Sequence, residues 1–286
     1  MISRRLLLAA APILALPGWA RAEATQVRAD LRGGLLFVRA SIGSAPGLFL
    51  VDTGAPFTLL HETYAKGAGV KPQGGEVLAG VGGVRVAARA QRAVLALAGG
   101  PSAAIEASII DLSAIAGRMQ LDLAGVLGCD FLSRFVVTLD YRRGAIAFAQ
   151  ASPPPPRTAV TLRIGRTPYV RATAVYGAAR AAGEFQIDTG ANTAVVLWKP
   201  FAARSFPGVG AVSGAVQGVA GVSQARIGRL TALEVAGQRL VDLQANFADE
   251  VRPDDAGRDH AGVIGGPAFA GRRIIIDYPG QRFWFV

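Results

Sequence analysis

The sequence predicts an all-β, mainly antiparallel protein of two homologous lobes. Three observations carry this. The tripeptide Asp-Thr-Gly occurs twice, at Asp52-Thr53-Gly54 and Asp188-Thr189-Gly190, each time between apolar runs. Further landmarks accompany both copies in the same order. Short runs rich in Val, Leu and Ile alternate with glycine-containing turns along the chain, the pattern of antiparallel strands.

The chain opens with an export signal over residues 1–22. Arg4 and Arg5 form its charged region, Leu6 to Leu16 a short apolar core broken by Pro12, and Ala20-Arg21-Ala22 a small-x-small cleavage site. The apolar stretch is too short to span a bilayer, so no stable membrane anchor is expected after cleavage. Ser3-Arg4-Arg5 followed by Leu8 is similar to a twin-arginine signal, and an ordinary secretory signal with two adjacent arginines fits equally. Either places the mature protein in the periplasm or outside the cell.

The first lobe is expected over residues 23–150. Thr25 to Arg39 reads as a hairpin around Gly33-Gly34, Val81 to Leu97 as two strands, and Phe135 to Phe148 as two strands about Arg142-Arg143-Gly144. Helix is expected only in short pieces, such as His61 to Lys66 and Phe131 to Phe135. Residues 151–157 contain four consecutive prolines and read as an extended, semi-rigid linker. The second lobe, residues 158–286, repeats the plan. Ile274 to Val286 mirrors Phe135 to Phe148, with Pro279-Gly280 as its turn.

The repeat is closely spaced. Ala124-Gly125-Val126-Leu127-Gly128 answers Ala261-Gly262-Val263-Ile264-Gly265, with 73 residues from Asp52 to Gly125 and 74 from Asp188 to Gly262. Val136 to Tyr141 answers Ile274 to Tyr278, and Ala79 to Gly83 answers Gln217 to Gly221. The offset between the two tripeptides is 136 residues, so the repeating unit is a lobe and not a solenoid turn. A lone Asp-Thr-Gly is a strand-ending turn. Two copies within such a repeat point to a pair of carboxylates delivered to one site. Two adjacent carboxyls cannot both ionise cheaply, so they share a proton and offer a base and an acid together.

On these motifs the chain resembles the aspartic protease family, in particular the bacterial retropepsin-like branch in single-chain form, over nearly the whole mature sequence. The resemblance implies closed-barrel lobes with catalytic Asp52 and Asp188. It implies that Thr53 and Thr189 bond across the lobe junction, with Gly54 and Gly190 letting the two loops pack closely. It also puts Gly80, Val81, Gly82 and Gly83, and Gly218, Val219, Ala220 and Gly221, at flap positions that close over substrate. Neither segment has the tyrosine of a pepsin-type flap, so a retropepsin-like glycine flap is the better analogy; both are also simply tight hairpin turns. The activity implied is that of an aspartic endopeptidase acting as a monomer on an extended polypeptide, with no metal or organic cofactor. The competing reading is a catalytically weak or inactive envelope module that binds peptides in the same cleft. A sugar- or lipid-binding β protein has only Trp198 and Phe283-Trp284-Phe285 in its favour, and the latter reads as a buried terminal strand.

Composition narrows the field further. The formal charge is +10, or +7 once Arg4, Arg5 and Arg21 are removed with the signal. The arginines are scattered and the lysines are only Lys66, Lys71 and Lys199, so no nucleic-acid partner is expected. The single Cys129 permits no internal disulfide and reads as a small buried side chain. Asp249 to His260 holds five carboxylates without calcium-loop spacing, and is expected to be a solvated loop. Ala55 and Ala191 follow the tripeptides where pepsin-type proteins carry a hydroxyl residue.

Overall fold

A computed structural model describes residues 24–80, 83–209, 212–218, 221–249 and 260–286. The proposed signal, the tips of the two glycine turns (Val81, Gly82, Val219 and Ala220) and most of the acidic stretch lie outside them.

The N-terminal half contains β1 (Thr25–Arg28), β2 (Asp30–Arg32), β3 (Leu35–Ile42), β4 (Ala45–Val51), β5 (Leu59–His61), α1 (Glu62–Gly67), β6 (Pro72–Gly80), β7 (Gly83–Ala90), β8 (Ala93–Leu97), β9 (Ser102–Ile105), β10 (Ser108–Ile110), α2 (Ser113–Met119), β11 (Leu123–Leu127), α3 (Cys129–Leu132), β12 (Val136–Asp140) and β13 (Ala145–Ala149). The C-terminal half contains β14 (Val160–Ile164), β15 (Pro168–Tyr176), β16 (Ala179–Asp188), β17 (Val195–Leu197), α4 (Lys199–Ser205), β18 (Val212–Gly218), β19 (Gly221–Val235), β20 (Gln238–Ala248), β21 (His260–Gly265), a 3₁₀ turn at Gly266–Phe269, β22 (Arg273–Asp277) and β23 (Arg282–Phe285). The protein is mostly β and two-lobed, with a closed six-stranded barrel and a half-barrel.

The halves share one plan of strand pairing around their Asp-Thr-Gly loops. β4, β11 and β5 lie side by side, as do β16, β21 and β17. In both trios the central strand runs parallel to the first and antiparallel to the third. β19 continues where the first half breaks into β7 and β8, and β20 continues where β9 and β10 are separate. The correspondence holds in pairing: β8 pairs β3 as β19 pairs β15. The break falls at Gln91-Arg92, whose exposed polar side chains gain nothing from a ladder.

Between the lobes a six-stranded run is ordered β1-β13-β12-β22-β23-β14. β12 and β22 pair antiparallel about Thr138 and Ile275, so the local twofold relating the halves passes between them. Alternation along these strands sends Val137, Leu139, Ile274 and Ile276 into the main core and Val136, Ile275 and Trp284 into a smaller cluster on the other face. Each such side chain, fully buried, contributes about 1.5–3 kcal/mol. The Phe283-Trp284-Phe285 run is therefore a terminal strand with Phe283 and Trp284 buried and Phe285 partly so, as its composition implied.

Helix departs from expectation in two ways. α1 falls where predicted, but the second expected helix begins at Cys129 and ends at Leu132, because extended Gly128 starts it early and Ser133 closes it. α2 and α4 were not foreseen. α2 has seven residues, contains Gly117 and ends on Gln120 in the left-handed region, so its sequence carries little helical periodicity. Packing holds it, since Ile115, Ala116 and Met119 lie on the cluster beneath the β6–β7 hairpin. α4 has Pro200 in its first turn and buries Phe201 and Ala202.

Candidate active site

β4 delivers Asp52 just beyond its last residue, Val51. The chain then crosses the end of β11 and returns on its far side as β5. β16 and β17 straddle β21 in the same way around Asp188. The closing glycines of the two hydrophobic-hydrophobic-Gly segments sit where these crossings touch. A Cβ on Gly128 would fall 2.5 Å from the Phe57 carbonyl, and one on Gly265 would fall 2.0 Å from that of Thr193. Only glycine lets the loops cross so closely.

The two loops interlock. Thr53 Oγ1 donates to the Ile187 carbonyl at 2.6 Å and accepts the Thr189 amide at 3.1 Å. Reciprocally, Thr189 Oγ1 donates to the Val51 carbonyl at 2.8 Å and accepts the Thr53 amide at 3.1 Å. Both threonines are completely buried, so every one of these polar groups would be unpaired without its partner. Gly54 and Gly190 complete the fit. A Cβ on Gly54 would lie 2.3 Å from Asp188 Cγ, and one on Gly190 would lie 2.3 Å from Asp52 Cγ. Each glycine leaves room for the opposite carboxyl.

The interlock brings the carboxyls of Asp52 and Asp188 together, each filling the room left by the opposite glycine, and the two bear on each other electrostatically. Asp52 Oδ1 accepts the Gly54 amide at 2.7 Å. Asp188 Oδ1 accepts the amides of Gly190 and Ala191, each at 3.0 Å. Burial, then the neighbouring Asp188 charge, pushes Asp52 well above the ordinary carboxylate range, while its amide partners pull it back. The arrangement can therefore hold one proton between two carboxyls that act as a unit.

The β6–β7 and β18–β19 hairpins close on the predicted glycines, with Gly80 paired to Gly83 and Gly218 to Gly221. Leu78 and Ala87, on the first hairpin, pack in one cluster with Ala55 and Leu59 of the Asp52 loop. That hairpin is thus tied to the site through its inward-facing side chains. Among the described residues no group of His, Cys, Asp or Glu side chains could hold a metal. A groove of about 570 Å³ lined by Arg39, Gly47, Tyr64 and Asp122 lies at the opposite end of β4 from Asp52.

The halves differ in features that the repeat obscured. Gln186, two residues before Asp188, sends Nε2 to the Gly54 carbonyl at 3.3 Å and to Thr167 Oγ1 at 2.9 Å. Leu50 occupies the matching position in the first half, so comparison of the two copies could have flagged Gln186. Arg166 sits over the Phe57 ring at 5.1 Å, a further contact between the halves. Cys129 is buried, as expected, and burial raises its thiol to about 12, so it stays protonated through the neutral range. Below the dyad lie two tyrosines from matching positions, Tyr141 and Tyr278, both buried. The Tyr141 hydroxyl has no hydrogen-bond partner among the described residues. Tyr141→Phe is therefore expected to leave stability unchanged or raise it by up to about 1 kcal/mol, since it removes an unpaired buried hydroxyl. Urea unfolding checks this, and a loss of more than about 1 kcal/mol would show that the hydroxyl is paired after all.

A family model described as aspartyl protease matches residues 38–131 and, again, residues 173–268. The chain belongs to the aspartyl protease family. The two matches coincide with the two halves, each running from its early strands through its Asp-Thr-Gly loop to the residues just past its hydrophobic-hydrophobic-Gly segment. No curated protein matches the chain. Membership in this aspartyl protease family supports a protease-type activity and leaves the roles of individual residues to chemical argument.

Proposed function

We propose that the protein is an exported aspartic endopeptidase in which Asp52 and Asp188 act together on a water held between them. The observation that carries this reading is the reciprocal pairing of Thr53 with Thr189, which draws together the two loops that bear the carboxyls. The ionised carboxyl takes a proton from the water as its oxygen attacks the peptide carbonyl carbon. The protonated carboxyl gives its proton to the carbonyl oxygen. The tetrahedral species then collapses: one of its hydroxyls returns a proton to the carboxylate that had given one, the C–N bond breaks, and the amine leaves with the proton first taken from water. No external proton donor is required, and the dyad returns to its singly protonated state. A polypeptide lies extended across the dyad beneath one or both glycine hairpins, Gly80–Gly83 and Gly218–Gly221. Export of a monomer to the periplasm or beyond, following loss of residues 1–22, completes the proposal.

The experiment is incubation of residues 23–286 with a diverse peptide mixture over a range of pH, read by mass spectrometry. Internal cleavages that disappear in Asp52→Asn support the endopeptidase. Peptide retention without cleavage by the wild type would favour a binding module instead.

The pH optimum follows from Ala55 and Ala191. A hydroxyl at these positions can donate to the dyad and favour its charged form. Its absence keeps the dyad less acidic, so the singly protonated state persists closer to neutrality. The optimum is expected to be milder than that of gastric-type proteases. The Ala55→Ser, Ala191→Ser double variant should shift the kcat/KM profile to lower pH, and an unchanged or upward-shifted profile would contradict this.

A further inference from the structure

Beneath Asp52 runs a chain of hydrogen bonds that the other half lacks. The Cys129 thiol donates to the Thr53 carbonyl, Sγ to O 3.2 Å. A carbonyl can only accept, so the thiol proton is committed there. The Tyr278 hydroxyl, 3.8 Å from Sγ, is then the donor to sulfur. The Thr53 carbonyl belongs to the same peptide unit as the Gly54 amide, which donates to Asp52 Oδ1 at 2.7 Å. The path is Tyr278 hydroxyl, Cys129 thiol, Thr53–Gly54 peptide, Asp52 carboxyl.

The second half has the frame but not the connection. The Cys129 amide donates to the Ala55 carbonyl at 2.8 Å, and the Gly266 amide donates to the Ala191 carbonyl at 3.1 Å, so Gly266 occupies the position of Cys129. A Cβ on Gly266 would point to the Thr189 carbonyl at 3.2 Å, the counterpart of the carbonyl that the thiol holds. It would also fall 2.2 Å from the Gly34 carbonyl, so this position admits no side chain. Tyr141, the counterpart of Tyr278, is left with a hydroxyl that has no partner among the described residues. The Gly190 amide reaches Asp188 at 3.0 Å, longer than the 2.7 Å on the connected side.

We propose that Cys129 and Tyr278 are positioning residues that strengthen the hydrogen bond from the Gly54 amide to Asp52, and that this support acts in one half of the dyad only. The proposal rests on the reading that the dyad performs the chemistry. Donation to a peptide carbonyl polarises the peptide and makes its amide a better donor, because linked hydrogen bonds reinforce one another. A better donor favours the charged form of the carboxyl it meets. The ionisable groups bearing on Asp52 and Cys129 are Asp188, Tyr141, Tyr278 and Asp130. Asp130 is itself held by the Thr58 amide and hydroxyl at 2.8 and 2.7 Å and by the Glu106 amide at 2.9 Å. Thus the connection works against the burial that keeps Asp52 protonated, and its loss should raise the midpoint of the pair.

The test is the pH dependence of kcat/KM for the wild type, Cys129→Ala, Cys129→Ser and Tyr278→Phe. Cys129→Ala should move the acid limb up by about 0.5 pH unit, a fraction of what a direct donor does. It should lower kcat with little change in KM. Cys129→Ser restores a donor to the same carbonyl and should match the wild type. Tyr278→Phe should shift the limb in the same direction by less, and Tyr141→Phe should not shift it. A Cys129→Ala variant that loses thermal stability but keeps the wild-type profile would overturn the proposal, as would a Cys129→Ser variant shifted as far as Cys129→Ala. Should the wild type cleave no peptide, the protease reading fails on its own. Infrared titration of the protonated carboxyl band then decides the remaining question: a raised midpoint in Cys129→Ala supports the connection, and coincident midpoints refute it.

Discussion

Asp52→Asn and Asp188→Asn are each expected to lower kcat by about 10⁴-fold, because a single carboxyl cannot serve as base and acid in one step. Neither change should unfold the protein. Asp52 carries a raised pKa through burial and the Asp188 charge, so the folded state binds more protons than the unfolded state above the ordinary carboxylate range. Its ionisation therefore costs stability: what is fully retained below the unfolded pKa is lost as pH rises through the folded pKa. Asn removes that loss. The melting temperature of Asp52→Asn should exceed the wild-type value at neutral pH and converge with it in acid. Calorimetry at two pH values separates this from a nonspecific effect: a gain that grows in acid, or near wild-type turnover in either variant, would contradict the shared-proton dyad.

Thr53→Ala carries the largest expected loss of stability. Its hydroxyl donates to the Ile187 carbonyl and accepts the Thr189 amide in a fully buried junction. Alanine would leave both groups unpaired, at a cost of about 2–4 kcal/mol. Turnover should fall as well, since the loop carrying Asp52 would lose its link to the opposite half. Thr53→Ser keeps the hydroxyl and should recover most of both. Thr189→Ala should behave alike, its hydroxyl spanning the Val51 carbonyl and the Thr53 amide. A change below about 0.5 kcal/mol in urea unfolding would mean that the junction is held by packing and not by these bonds.

The repeat made the central part of the fold legible. Two Asp-Thr-Gly loops, two hydrophobic-hydrophobic-Gly segments and two terminal hairpins recur because each half needs the same crossing of one loop over one strand. Glycines at Gly128 and Gly265 are required by the backbone, so the pattern could be read without coordinates. What differs between the halves was harder to see. Gln186 stands where the first half has Leu50, and Gly266 where it has Cys129. Such differences become informative only once the register of the two halves is fixed. α2 and α4 escaped because tertiary packing, not helical periodicity, holds seven-residue helices in place. The first expected hairpin was right at Gly33-Gly34, but β1 pairs with β13 at the far end of the lobe. A partner so distant in sequence leaves no local signal.

The most direct test of the two-carboxylate account is kcat/KM against pH for one cleaved peptide, measured on the wild type and on both Asn variants. The account predicts a bell for the wild type, whose two limbs belong to the coupled pair, and no measurable profile for either variant. A profile with a single limb, or a profile that persists when Asp188 is replaced, would show that one carboxyl suffices and would contradict it.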